Sequence, residues 1–180
     1  MTLGRALRLT LERLGLVVWL AGCTSAVTTT EGIVLRDFDA PKKQPHTVSV
    51  QVGGGRETEA GYLPQISNET FAAALVESIM TSRTFSRVIQ GGRTDYLLQV
   101  TLISLDQPVI GGDFTVKMEA AWRLTRSDTG AVVWREAIGS SSTQTRGDTF
   151  AAVTRVRLAT EGAARNNIKE GLARIVRLDL

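Results

Sequence analysis

Phe114-Thr115-Val116-Lys117-Met118-Glu119-Ala120-Ala121-Trp122-Arg123-Leu124-Thr125 sets an apolar side chain at every even position and a polar or small one at every odd position. A period of two is the repeat of a strand with one face buried and the other in water, and a helix cannot keep it in phase over this length. Ser127-Asp128-Thr129-Gly130 follows as turn residues, after which Val132, Trp134 and Ile138 continue a return strand. Residues 113 to 140 therefore read as one long hairpin, and the serine and threonine cluster from Ser140 to Thr145 reads as its loosening end.

Upstream of the hairpin, Tyr96, Leu98, Val100 and Leu102 alternate with polar residues to give another strand, with a bend at Pro108 and Gly111-Gly112. Phe85 to Ile89 is a shorter strand stopped by Gly91-Gly92. Before it, Ser67 or Asn68 caps a helix with Glu69 in the first turn, where a negative charge meets the positive end of the dipole. Phe71, Leu75 and Ile79, with Ala72, Val76 and Met80 beside them, form its apolar stripe. Val48, Val50 and Val52 alternate with polar neighbours in a first strand that Gly53-Gly54-Gly55 ends, and Arg56 to Pro64 follow as a polar loop.

At the other end of the chain, Ala164, Ile168, Leu172 and Ile175 recur at three and four, the spacing of a helix. Thr154 to Leu158 reads equally as strand, and Gly162 argues against one continuous helix, so a start near 149 and one near 160 both stand. The order of elements predicts an α+β fold, an antiparallel sheet of four to five strands with two helices packed on one face.

The N-terminal region is of a different kind. Arg5, Arg8 and Arg13 lead into an apolar stretch from Leu14 to Gly22 that ends in Leu20-Ala21-Gly22-Cys23 and holds the only cysteine. A basic start, a short apolar run and small residues make the layout of a cleaved secretory signal, and the run is shorter than the roughly 20 residues that cross a bilayer. The tetrapeptide resembles the lipobox of Gram-negative lipoproteins, which implies acylation of Cys23 and cleavage before it. The expected organisation is a signal peptide over 1–22, a lipidated cysteine and flexible tether over 23–45, and a single periplasmic domain over 46–180. Removing residues 1–22 takes three arginines and Glu12, which leaves 18 basic and 17 acidic side chains. That balance gives no support for nucleic-acid binding through released counterions. With Cys23 acylated no intramolecular disulfide forms, and packing alone must hold the fold.

Catalytic chemistry finds little to work with. The only histidine, His46, sits at a strand entry, and without a second histidine or a free thiol no zinc-ligand spacing emerges, so neither a metal nor a cofactor is expected. Gly53-Gly54-Gly55 lacks the Lys-Ser or Lys-Thr of a phosphate loop. Glu57 and Glu59 are solvated charges in a polar loop, and Asn68-Glu69-Thr70 serves helix capping. Trp122 and Trp134, each followed by an arginine, fall on the apolar face of the hairpin and are expected in the core. On the terminal helix Arg155, Arg165, Lys169 and Arg177 lie on a loosely common arc, a candidate contact for phosphates or an acidic partner.

Gln65-Ile66-Ser67-Asn68, the turn Asp128-Thr129-Gly130 and the run from Ala159 to Ile168 resemble a poorly characterised family of small proteobacterial outer-membrane lipoproteins. More loosely, the element order resembles lipopolysaccharide-assembly lipoproteins and the auxiliary lipoproteins of ABC transport systems. The resemblance implies a non-catalytic accessory or assembly role in the envelope. It further implies membrane attachment through acyl chains and an envelope protein or lipid as partner, and it carries no site residues across. Thr24 stands where an aspartate would resemble an inner-membrane retention signal, which favours the outer membrane. The alternative expectation is an enzyme acting on envelope glycan or lipid through scattered carboxylates.

Overall fold

The computed structural model describes residues 27–108, 110–149 and 151–180; the expected signal peptide and Cys23 lie outside the described residues. The elements run α1 (Thr30–Ile33), β1 (Gln44–Gly53), α2 (Asn68–Ser82), β2 (Phe85–Val88), β3 (Tyr96–Asp106), β4 (Phe114–Arg126), β5 (Val132–Gln144) and α3 (Ala152–Ile175). They form an α+β fold around one five-stranded sheet of order β2-β1-β3-β4-β5.

The β4–β5 hairpin is the longest pairing, with Phe114 opposite Gln144 and Leu124 opposite Trp134. The even residues of β4 are buried from Phe114 to Leu124, and the odd ones between them are exposed or half-buried. β5 outlasts the expected hairpin, because Ser140 to Gln144 stay in register with Phe114 to Met118 instead of loosening. Gly130, at φ +71°, supplies the left-handed residue that the turn needs.

The α+β fold is the expected one, with β3, β4 and β5 pairing antiparallel, and the sheet is mixed in detail because β1 runs parallel to both β2 and β3. The chain leaves β1, crosses over as α2 and returns parallel as β2, the only connection a helix-length segment on one face allows. Short β2 lies along Gln44 to Val48 of β1, and β3 along Val48 to Gly53, so the chain from 89 to 95 passes from one side of β1 to the other.

Ser67 caps α2, its Oγ accepting from the Thr70 N–H at 3.1 Å, and Phe71, Ala74, Leu75 and Ile79 are buried beneath it. Arg83 closes the helix in the left-handed region. Helix α3 is continuous from Ala152, so the strand alternative over 154–158 is excluded. Gly162 does not break it; a Cβ there would stand 2.8 Å from Ser142 Cβ, and one at Gly171 would stand 2.5 Å from the Trp122 ring. Together with Ala159, Ala163 and Ala164, these glycines let the helix backbone lie directly on β4 and β5. Trp122 is 1% exposed, while Trp134 is half-buried against the same core.

The tether is much shorter than expected. Thr28, Ile33, Val34, Leu35 and Ala40 are buried, so the folded unit begins by residue 28 and β1 starts at Gln44. The Leu35 N–H donates to Ser78 Oγ at 2.9 Å and the Ala40 N–H to the Ser82 carbonyl at 3.3 Å, fixing this segment along α2. A short apolar run among polar neighbours carries no period, which is why composition alone reads it as a linker.

Candidate functional site

Parallel β1 and β3 end at the edge of the sheet where β4 begins and β5 finishes, so one end collects the loops 54–67, 107–113 and 145–151 with the first turns of α2 and α3. The N-terminal segment enters there too. Thr28 Oγ1 donates to the Gln65 carbonyl at 2.6 Å, and Gln107 Nε2 donates to the Pro64 carbonyl at 2.6 Å and to Thr160 Oγ1 at 2.9 Å. Four separate stretches of chain are thereby tied into one surface.

A groove of about 260 Å³ opens on this end between the 54–66 loop and β3. Its floor is Met118 with Leu102 and Leu105; Ile66 and Ile103 form the walls and Arg56 the rim. The loop holds its shape through the Gly55 N–H donating to Asn68 Oδ1 at 2.8 Å and the Arg56 N–H donating to the Ile66 carbonyl at 2.9 Å. Gly54, at φ +79°, brings its backbone against the Leu102 carbonyl, an approach that a Cβ would block. The volume falls just under the range for drug-sized ligands and suits a short aliphatic segment or a partner side chain. Arg56 is the one charged residue lining it.

The carboxylates with displaced titration lie at the far end of the sheet. Asp95 accepts from the Thr47 N–H at 2.7 Å and from Thr47 Oγ1 at 2.8 Å, and these hydrogen bonds hold it below the usual carboxylate range, with His46 and Arg126 adding to the effect. Asp128 is lowered by the Arg126 guanidinium, which donates to both its oxygens. Both shifts favour the charged form, the opposite of what a general acid needs. His46 stacks edge-on against Tyr96 with ring centroids 5.2 Å apart, and its Nδ1 is 4.0 Å from Asp95. Glu57 and Glu59 are exposed. Among the described residues no cluster of three or more histidine, cysteine, aspartate or glutamate side chains is placed to hold a metal.

The four basic residues expected to form one contact differ in exposure, and Arg177 lies beyond α3, which ends at Ile175. Arg155 is buried, donates Nη1 to the Thr149 carbonyl at 2.6 Å and lies over the Phe114 ring at 5.1 Å. Arg165 donates to the Gly32 carbonyl, holding α1. Only Lys169 and Arg177 are exposed, because the helix packs against partners on two sides. On the solvent face of the sheet Arg123 and Arg135 are register partners across β4 and β5, without an ion pair among the described residues.

Sequence patterns did not reveal the groove or the exposed apolar residues of its surroundings. Tyr62 and Ile110 belong to loop stretches with a single apolar neighbour each, Leu63 and Val109, and so short a run has no periodicity to read.

No family model and no curated protein matches the chain. Solved structures do. The fold is similar to that of a protein from Xanthomonas campestris of the DUF330 family, with TM-score 0.63, 14% identity, and 84% of this chain and 95% of that chain covered. It is similar to a hypothetical protein from Chlamydia trachomatis, with TM-score 0.54, 8% identity, and 73% and 96% covered. The rare lipoprotein B from Shewanella oneidensis superimposes more loosely, with TM-score 0.43, 11% identity, and 73% and 91% covered. The first two likenesses establish that this arrangement of sheet and helices is a recurring fold.

Proposed function

We propose that the chain is a lipid-anchored envelope protein that works by binding, as an accessory or assembly factor for an outer-membrane or lipid or lipopolysaccharide transport system. The observation that carries this reading is Leu20-Ala21-Gly22-Cys23 standing only five residues before the buried Thr28. A signal ending in a cysteine and running straight into a folded domain is the design of an anchored protein. The groove between the 54–66 loop and β3 supports a binding role, and the lowered carboxylates at the far end offer no acid for glycan or lipid hydrolysis. Thr24 supports the outer membrane, and Lys169 on α3 and Arg177 just after it are exposed cations for phosphates or an acidic partner.

The test is the Cys23→Ser variant followed in a Gram-negative host. Wild type should incorporate labelled palmitate and fractionate with the outer membrane, and the variant should do neither. Crosslinking in cells should recover an envelope protein or lipid with the wild type, and Lys169→Glu with Arg177→Glu should weaken that recovery. Unchanged fractionation of Cys23→Ser, or turnover of a glycan or phospholipid abolished by one carboxylate substitution, would overturn the reading.

A further inference from the structure

Eight large apolar residues are exposed among the described residues, and five of them, Val27, Tyr62, Ile103, Ile110 and Val153, belong to the end of the sheet that carries the N-terminal segment. Ile110 is 89% exposed and Tyr62 68%. They sit in the 107–113 and 54–67 loops, which Gln65 and Gln107 join to each other and Thr28 and Thr160 join to the N-terminal segment and α3. The turn at 127–131 and the C-terminus lie at the opposite end. Charge at the apolar end is acidic on balance, Arg56 and Arg146 standing with Glu57, Glu59, Asp106, Asp113 and Asp148.

Chain length decides which end can meet a membrane. Four residues, Thr24 to Val27, stand between Cys23 and Thr28, and the five backbone steps that join them reach at most about 18 Å when fully extended. A domain of this size has a radius of gyration of about 15 Å, hence a diameter of roughly 40 Å. An anchor on Cys23 therefore cannot turn the far end toward the bilayer, while it holds the near end at high effective concentration against it.

We propose that this end seats on the bilayer that holds the protein's own acyl chains, with Ile110 and Tyr62 entering the interface. The occupant is the lipid surface itself, and the inference rests on acylation of Cys23. Tyrosine suits the boundary because its ring is apolar and its hydroxyl stays hydrated. With no basic excess around it, the contact is apolar, and salt has no charge attraction to anionic lipid to weaken.

The experiment uses full-length protein acylated in cells, purified and reconstituted into vesicles of phosphatidylethanolamine and phosphatidylglycerol, some with brominated acyl chains. Acylation blocks Cys23, so Ile110→Cys supplies a single thiol for an environment-sensitive fluorophore, and Thr129→Cys supplies the control at the far turn. The label at 110 should shift to the blue and lose most of its emission to brominated lipid, with little change between low and high salt, while the label at 129 stays in water. Equal, water-like emission from both positions overturns the proposal. Shielding of position 110 in cells but not in pure lipid also overturns it, in favour of a protein partner. If Cys23 is not acylated, the unsubstituted chain itself takes up label and fails to pellet with vesicles, so failure of the anchoring reading shows separately.

Discussion

Trp122 donates its indole N–H to Asn167 Oδ1 at 2.9 Å, a buried hydrogen bond between the middle of β4 and the middle of α3. Asn167 Nδ2 in turn donates to the Ile138 carbonyl at 2.7 Å, so one amide joins the helix to both strands of the hairpin. Trp122→Ala should cost about 3 to 5 kcal/mol in chemical unfolding, through lost burial and the cavity left behind. Asn167→Ala should cost about 1 to 3 kcal/mol, because the indole N–H and the Ile138 carbonyl lose their partner in the interior. Arg123→Ala, on the solvent face one residue along, should stay within about 0.5 kcal/mol. Equal costs at 122 and 123 would contradict the facing of β4.

Gly171 sets two effects of opposite sign against each other. Alanine is favoured over glycine in a helix interior by about 0.8 to 1 kcal/mol. The added Cβ would stand 2.5 Å from Trp122 Cη2, an indole edge held by its own hydrogen bond and unable to swing aside. Overpacking of that kind costs about 1 to 3 kcal/mol, so Gly171→Ala should lower the melting temperature. A gain in stability would mean that α3 stands further from the sheet.

The hairpin was legible because one face is buried and one is wet, so that Phe114 to Thr125 write the geometry into the alternation itself. Ser140 and Ser142 hid the end of β5. They face α3, where Ser140 Oγ donates to the Ala163 carbonyl at 2.8 Å and Ser142 lies beneath Gly162, and only small side chains fit so close an approach. Gly162 misled for the same reason, being a packing residue that resembles a helix breaker. Parallel pairing of β1 left no mark, since Val48, Val50 and Val52 alternate identically in either direction. Of the candidate features, the Leu20-Ala21-Gly22-Cys23 pattern can be read in the sequence, whereas the groove is made by a loop folding back on β3, between residues more than forty positions apart, as from Gln65 to Gln107 at 3.4 Å.

Asp95 gives the fold a defined acid sensitivity. Hydrogen bonds from Thr47 lower its pKa in the folded state, so its contribution is present above the unfolded value near 3.9 and is lost as the pH falls through the folded value. Stability should therefore be insensitive to Asp95 ionisation at neutral pH and decline below about pH 4. Asp95→Asn removes that dependence, and its unfolding free energy should fall less steeply than wild type under acid. Parallel pH profiles for the two proteins would show that the Thr47 contacts carry no linkage.

Glu161 holds the N-terminal segment that follows Cys23 in the sequence. Its Oε1 accepts from the Thr29 N–H at 2.9 Å and from Thr29 Oγ1 at 3.1 Å, while Arg157 Nη1 pairs with both carboxylate oxygens at 2.9 and 3.0 Å. The Glu161 side chain is 2% exposed, and Arg157 keeps some contact with water. Glu161→Ala leaves the Thr29 N–H and a half-buried guanidinium without their acceptor, a loss of about 3 kcal/mol. The effect should be local first. Thr29 to Leu35 should lose amide-exchange protection while the β4–β5 hairpin keeps its own, because the segment is held mainly by α1 contacts with α2 and α3. A freed segment also lengthens the link from Cys23 to the first anchored residue. The same variant in vesicles should then let the label at Ile110→Cys return toward water without releasing the protein from lipid. Retained protection at Thr29 to Leu35 would show that α1 is held by its apolar contacts alone.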